Sequence, residues 1–197
     1  MPALIIVATV IVSALALMSK PVHRALVLKP VLVTRKGEFY RLFTAGLIHA
    51  DVTHLLFNGL SFYIFADQLM RHVSEAQFLG LYVSAVVFAF IPTVIRFSDK
   101  ERYSTLGASG AVAAIMFACI ALNPHMKIRL LLPPVPIPGL VFGLGYLLYS
   151  IIQSIRAQDN VNHDAHFYGA VYGCGVAYFV NPSQVERSLR LLLAYFQ

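Results

Sequence analysis

Charge is scarce in this chain. Only 12% of its 197 residues are Asp, Glu, Lys or Arg, against roughly 25% in a soluble domain. Hydrophobic residues make up 58%, and the mean hydropathy is +0.72. This shortage excludes an ordinary soluble domain and implies one compact membrane bundle spanning residues 1–197. The net charge of +6 does not change that reading, because Lys and Arg fall between apolar runs, where they meet lipid headgroups. No basic stripe interleaved with aromatics is present, so no nucleic-acid partner is expected. The only two cysteines, Cys119 and Cys174, both lie inside apolar runs; packing is their expected use. No basic segment precedes the apolar run Ala3–Met18, so it reads as a retained first span and not as a cleaved signal.

Six apolar runs of spanning length can be drawn: 3–18, 47–70, 78–95, 107–122, 135–155 and 165–180. Crossing about 30 Å of hydrocarbon takes about 20 helical residues, so several runs sit near the short limit. Nothing shows the alternating ten-residue pattern of a membrane barrel, so the spans are helices. An all-α membrane protein with six transmembrane helices follows. No internal repeat stands out, which disfavours an inverted-repeat transporter. The long first connection, Ser19 to Gly46, mixes basic and apolar residues and reads as a structured interfacial loop. Asn123 to Gly139 carries Pro124, Pro133, Pro134, Pro136 and Pro138, which cannot be mid-helix. Residues 181–197 form a short, amphipathic C-terminal tail.

Polar groups inside a bilayer are costly and mark functional sites. The second run carries His49, Asp51, His54 and Asn58. His54 and Asn58, four apart, share a helix face, which should point to the bundle interior or a wet cavity. The fourth run begins Gly107-Ala108-Ser109-Gly110, and the sixth has His166 near its start. Serine beside histidine is the minimal arrangement for nucleophilic catalysis. Ser109 offers a nucleophile, and its own N–H, in a first helical turn, has no intrahelical partner. His166 offers a base, and His54 and Asn58 offer donors for an oxyanion. A carboxylate to orient His166 is missing: Asp164 is two residues away, and positions two apart do not share a helix face. Gly169 and Gly173 continue the His166 face, and Gly110, Ala113 and Ala114 the Ser109 side, which lets two membrane helices approach closely. The spacing of His49, His54, His163 and His166 does not favour zinc, and no metal or cofactor is expected.

The ordered set Tyr40-Arg41, His49-x4-His54-x3-Asn58, Gly107-Ala108-Ser109-Gly110 and Ala165-His166-x2-Gly169-x3-Gly173 resembles the rhomboid intramembrane serine proteases. The resemblance covers essentially residues 1–180. It implies a rhomboid-type bundle in which a Ser109–His166 dyad cuts transmembrane segments of other membrane proteins. His54, Asn58 and the Ser109 N–H would form an oxyanion hole shaped by Gly107. His49 would be structural, and Arg41 would brace the first loop. A dyad removes the need for the missing carboxylate. Substrates would be transmembrane helices with small or helix-destabilising residues near the cut, met in the bilayer. The protein would be a multi-pass integral membrane protein, in the inner membrane if the source is bacterial.

Two departures accompany the match. Some rhomboids place a tyrosine four residues after the serine, packed on the catalytic histidine; here that residue is Ala113, leaving Tyr168 and Tyr172 as candidates to hold His166. The first, third and fifth loops, outside in the family, carry ten of the fifteen Lys and Arg residues, whereas the positive-inside rule favours the reverse. The family orientation is retained, since the excess comes largely from the structured first loop. If even-numbered spans share one direction, His54, Ser109 and His166 cluster at one membrane face, and the loop Arg156–Asp164 with the Gly-rich fifth run forms the gate. The alternatives are an inactive rhomboid-like protein that binds membrane clients, and a small-molecule or ion transporter.

Overall fold

The computed structural model describes residues 1–129, 135–156 and 159–194. Pro133 and Pro134, residues 157–158 of the loop before His166, and residues 195–197 of the tail lie outside them. Helix α1 runs Pro2–Met18, with proline at its start, where the missing N–H costs nothing. Three short helices follow: α2 (Lys20–Leu26), α3 (Pro30–Lys36) and α4 (Arg41–Thr44). Gly37, with φ +68°, closes α3 in the left-handed conformation that glycine adopts freely. A single 3₁₀ turn, Ala45–Leu47, leads out of this loop.

Helix α5 is Val52–Leu69. The apolar run begins at Leu47, but the helix starts five residues later. Asp51 is the reason: its carboxylate caps the helix by accepting from the His54 N–H at 2.7 Å. His49 therefore sits before the helix and not on it. Helix α6, Glu75–Phe88, opens with a capping box between Ser74 and Gln77. It breaks at Ala89–Phe90, and α7 (Ile91–Arg96) continues with Pro92 in its first turn. Helix α8 is Ser109–Leu122, and every residue from Gly110 to Leu122 is buried. Its alanines leave room for α5, α6, α9, α10 and α11 to pack around it.

Beyond α8, β1 (Lys127–Arg129) pairs antiparallel with β2 (Pro136–Pro138), Ile128 opposite Ile137. The fifth apolar run thus starts as a strand, and helix α9 is Gly139–Arg156. Helix α10, His163–Val180, is capped by Asn162, whose side chain accepts from the Ala165 N–H. Helix α11, Pro182–Ala194, is the amphipathic tail; Ser188 anchors it by donating to the Ala121 carbonyl at 2.7 Å.

The 22 residues Glu75–Arg96 and the 18 of α9 are long and apolar enough to cross a membrane; α1 and α8 are apolar but shorter. Helices α8 and α10 pack at backbone distance. A Cβ on Gly169 would stand 2.1 Å from the Gly110 carbonyl oxygen, and one on Gly173 2.0 Å from that of Ala114. This close seam carries the starts of both helices side by side.

Candidate active site

Three stitches fix the segment before α8. Leu28 and Thr105 exchange backbone hydrogen bonds at 3.1 and 3.0 Å, and the Gly107 N–H donates to the Ala45 carbonyl at 2.9 Å. The Ala108 N–H faces His49 Nε2 at 3.5 Å. His49 is fully buried, and its Nδ1 lies 2.9 Å from Ser13 Oγ. One tautomer satisfies all of them: Nε2 accepts from Ala108, Nδ1–H donates to Ser13, and Ser13 Oγ donates to the Leu47 carbonyl at 2.9 Å. His49 thus ties α1 and the first loop to the turn that presents Ser109.

Arg41 holds the first loop itself. It is buried, and its Nη1 shares its two hydrogens among the carbonyls of Arg24, Ala25 and Val27, which lie 2.9, 2.8 and 2.8 Å away. Its Nε donates to Glu38 at 2.6 Å. The planar guanidinium suits this convergent set of acceptors. The hydrogen bond from Arg41 holds the Glu38 carboxyl below the ordinary carboxylate range.

Gly107 adopts φ +115°, a conformation that side chains avoid. A Cβ there would also meet His54 Cε1 at 2.8 Å. The turn therefore brings backbone against the His54 ring and sends the chain into α8 with Ser109 as its first residue. Helix geometry leaves the Ser109 N–H without an intrahelical acceptor.

Ser109 Oγ and His166 Nε2 lie 2.7 Å apart. The glycine seam makes this contact, because it holds the first turns of α8 and α10 together. Ser109, His166, His54 and Asn58 all line one cavity of about 1590 Å³. The cavity follows α8 from Ser109 through Val112 and Met116 to Asn123. That is about 21 Å at 1.5 Å per residue. Asn58 uses one amide hydrogen to donate to the His54 carbonyl at 3.1 Å, leaving the other for the cavity.

The surroundings of His166 differ from the sequence expectation. Tyr168 packs on Phe167, and Tyr172 stacks on Phe88; neither ring packs on His166. Instead Tyr146 of α9 lies 6.2 Å from it between ring centroids, and His163 stands edge-on at 5.6 Å. Asp164 is committed elsewhere, to Arg96 at 2.8 and 2.9 Å and to the Ser154 hydroxyl. Sequence reasoning missed Tyr146 and His163 as neighbours of His166. His163 carries a usable signal, since it precedes His166 by three residues and shares its helix face.

The Rhomboid domain family model matches residues 36–183. The chain belongs to the rhomboid family. Among similar proteins are YdcA of Bacillus subtilis, named for the rhomboid proteases, with 30% identity over 70% of this chain and 65% of the relative. The rhomboid protease AarA of Providencia stuartii is 26% identical over 76% of this chain and 59% of the relative. The mitochondrial RHOMBOID-like protein 12 of Arabidopsis thaliana is 26% identical over 69% and 45%. The chain matches about half to two thirds of the length of these relatives. Rhomboids are integral membrane proteins, and the all-α architecture described above is of that type.

Proposed function

We propose that this rhomboid is an intramembrane serine endopeptidase, with residues 1–197 acting as one membrane domain. The observation that carries the reading is the 2.7 Å approach of Ser109 Oγ to His166 Nε2 in a cavity running the length of an otherwise buried helix. A second support is that residues able to donate line the same cavity as that contact: His54 with its ring, Asn58 with its second amide hydrogen, and Ser109, whose own N–H has no intrahelical acceptor.

The chemistry is acyl transfer. His166 Nε2 takes the Ser109 proton as Oγ attacks the scissile carbonyl carbon, and the carbonyl oxygen becomes an oxyanion among those donors. The C–N bond then breaks, and His166 gives its proton to the leaving amine. Water entering from the cavity attacks the acyl-Ser109 ester, again losing its proton to His166. The bond from the acyl carbon to Oγ then breaks as His166 returns that proton to Ser109 Oγ, which regenerates the hydroxyl and releases the new C-terminal acid, ionised to carboxylate in water. A transmembrane helix hides its carbonyls in its own hydrogen bonds, so a segment with small or helix-destabilising residues is the substrate class this site accepts. The partners are transmembrane proteins within the bilayer.

Cleavage of a transmembrane reporter by the purified full chain in detergent tests this. The wild type should cut it, and Ser109→Ala should not. Asn58→Ala should lower turnover by about 10²–10³, as loss of one oxyanion donor does, with thermal stability nearly unchanged. Equal cleavage by the wild type and Ser109→Ala would overturn the assignment.

A further inference from the structure

A dyad histidine needs something to hold its ring, and among the described residues no carboxylate hydrogen-bonds to His166. A second histidine does. His163 opens α10 one turn before His166, and its side chain is 4% exposed despite that terminal position. Its ring meets His166 edge to face, with centroids 5.6 Å apart and planes at 84°. On another side it meets Tyr149 of α9 at 5.6 Å and 83°. Its Nε2 lies 3.1 Å from each carboxylate oxygen of Asp159. Its Nδ1 is buried without a partner among the described residues. The hydrogen bond from His163 holds the Asp159 carboxyl below its ordinary range, so the clamp stays ionised near neutrality.

We propose that His163, clamped by Asp159, is the positioning residue that fixes the His166 ring for proton transfer with Ser109. The proposal rests on the serine-protease reading above and deepens it. It supplies the orienting carboxylate that the dyad lacks, at one remove: Asp159 fixes His163, His163 fixes His166, and His166 faces Ser109. Orientation of this kind is worth much in rate, since small misplacements of a reacting group cost up to about 10²-fold. The other titratable groups facing His166 are Tyr146 of α9 and His54 of α5, and neither is joined to a carboxylate that faces His166.

Two readouts on the purified full chain test the proposal: the second-order rate of fluorophosphonate labelling of Ser109, and kcat and KM on a transmembrane reporter. Asp159→Asn and His163→Ala should each lower the labelling rate and kcat about tenfold, with KM within twofold. The double variant should be no slower than His163→Ala alone, because both changes act on one ring. Asp159→Glu should recover part of the loss. Asp159 is 43% exposed, so Asp159→Asn carries the test even if His163→Ala fails to fold. An unchanged labelling rate in Asp159→Asn, a parallel rise in KM, or a double variant slowed by the product of the single effects would overturn the positioning role. Absence of labelling in the wild type would instead overturn the underlying protease reading.

Discussion

Gly169 of α10 and Gly110 of α8 meet backbone to backbone, so closely that a Cβ on Gly169 would stand only 2.1 Å from the Gly110 carbonyl oxygen. No side chain can yield there, because the obstacle is main chain. Gly169→Ala should push the helices apart, costing at least the roughly 1–3 kcal/mol typical of overpacking. It should also separate Ser109 from His166. Gly175→Ala is the control, since that position has open space around it. Thermal melting in detergent checks the pair: a marked loss for Gly169→Ala and almost none for Gly175→Ala. Equal melting temperatures would remove the seam as the source of the Ser109–His166 contact.

Gly107→Ala combines a strained φ with a clash against His54. Strain of this kind costs about 1–3 kcal/mol, a modest share of total stability. The larger consequence is a displaced His54 ring and Ser109 N–H. Turnover should fall at least tenfold while the melting temperature drops only a few degrees, as read by parallel cleavage and melting assays. Full activity would mean that the turn does not shape the oxyanion site.

The first loop should be acid-sensitive through Glu38. Its carboxyl is held below the ordinary value of 4.5 by the hydrogen bond from Arg41. A group depressed in the folded state stabilises it above the unfolded value, and that contribution is lost as pH falls through the folded value. The loop should therefore open to protease as pH drops below about 4.5. Glu38→Gln should be protease-sensitive already at neutral pH and flatter in its pH response. Limited proteolysis between Lys20 and Gly46 measures this; identical pH responses would exclude the pair as a brace.

Much of the architecture was legible because hydrophobic runs report helices directly. Their ends were less so. Asp51, which reads as one more polar residue in an apolar run, is an N-cap, and it moves the start of α5 from Leu47 to Val52. Pro136–Pro138 pairs as a strand although it belongs by composition to the fifth run. The motif residues could be singled out because their types and spacing are themselves the signal. The neighbours of His166 could not. Tyr146 lies 20 positions before it on a different helix, and an edge-on ring contact such as His163 makes has no sequence mark beyond helix periodicity. Asp164, the carboxylate nearest His166 in sequence, is drawn off by Arg96, a partner 68 residues away.

The most direct measurement is fluorophosphonate labelling of the purified protein with the modified residue located by mass spectrometry. Activation of Ser109 by His166 requires the two to act together as they lie, 2.7 Å apart. The wild type should be labelled at Ser109 alone, Ser109→Ala should not be labelled, and His166→Ala should react at least about 10²-fold more slowly, since a base contributes about 10²–10⁴. Labelling of His166→Ala at the wild-type rate, or modification of a different serine, would contradict the account.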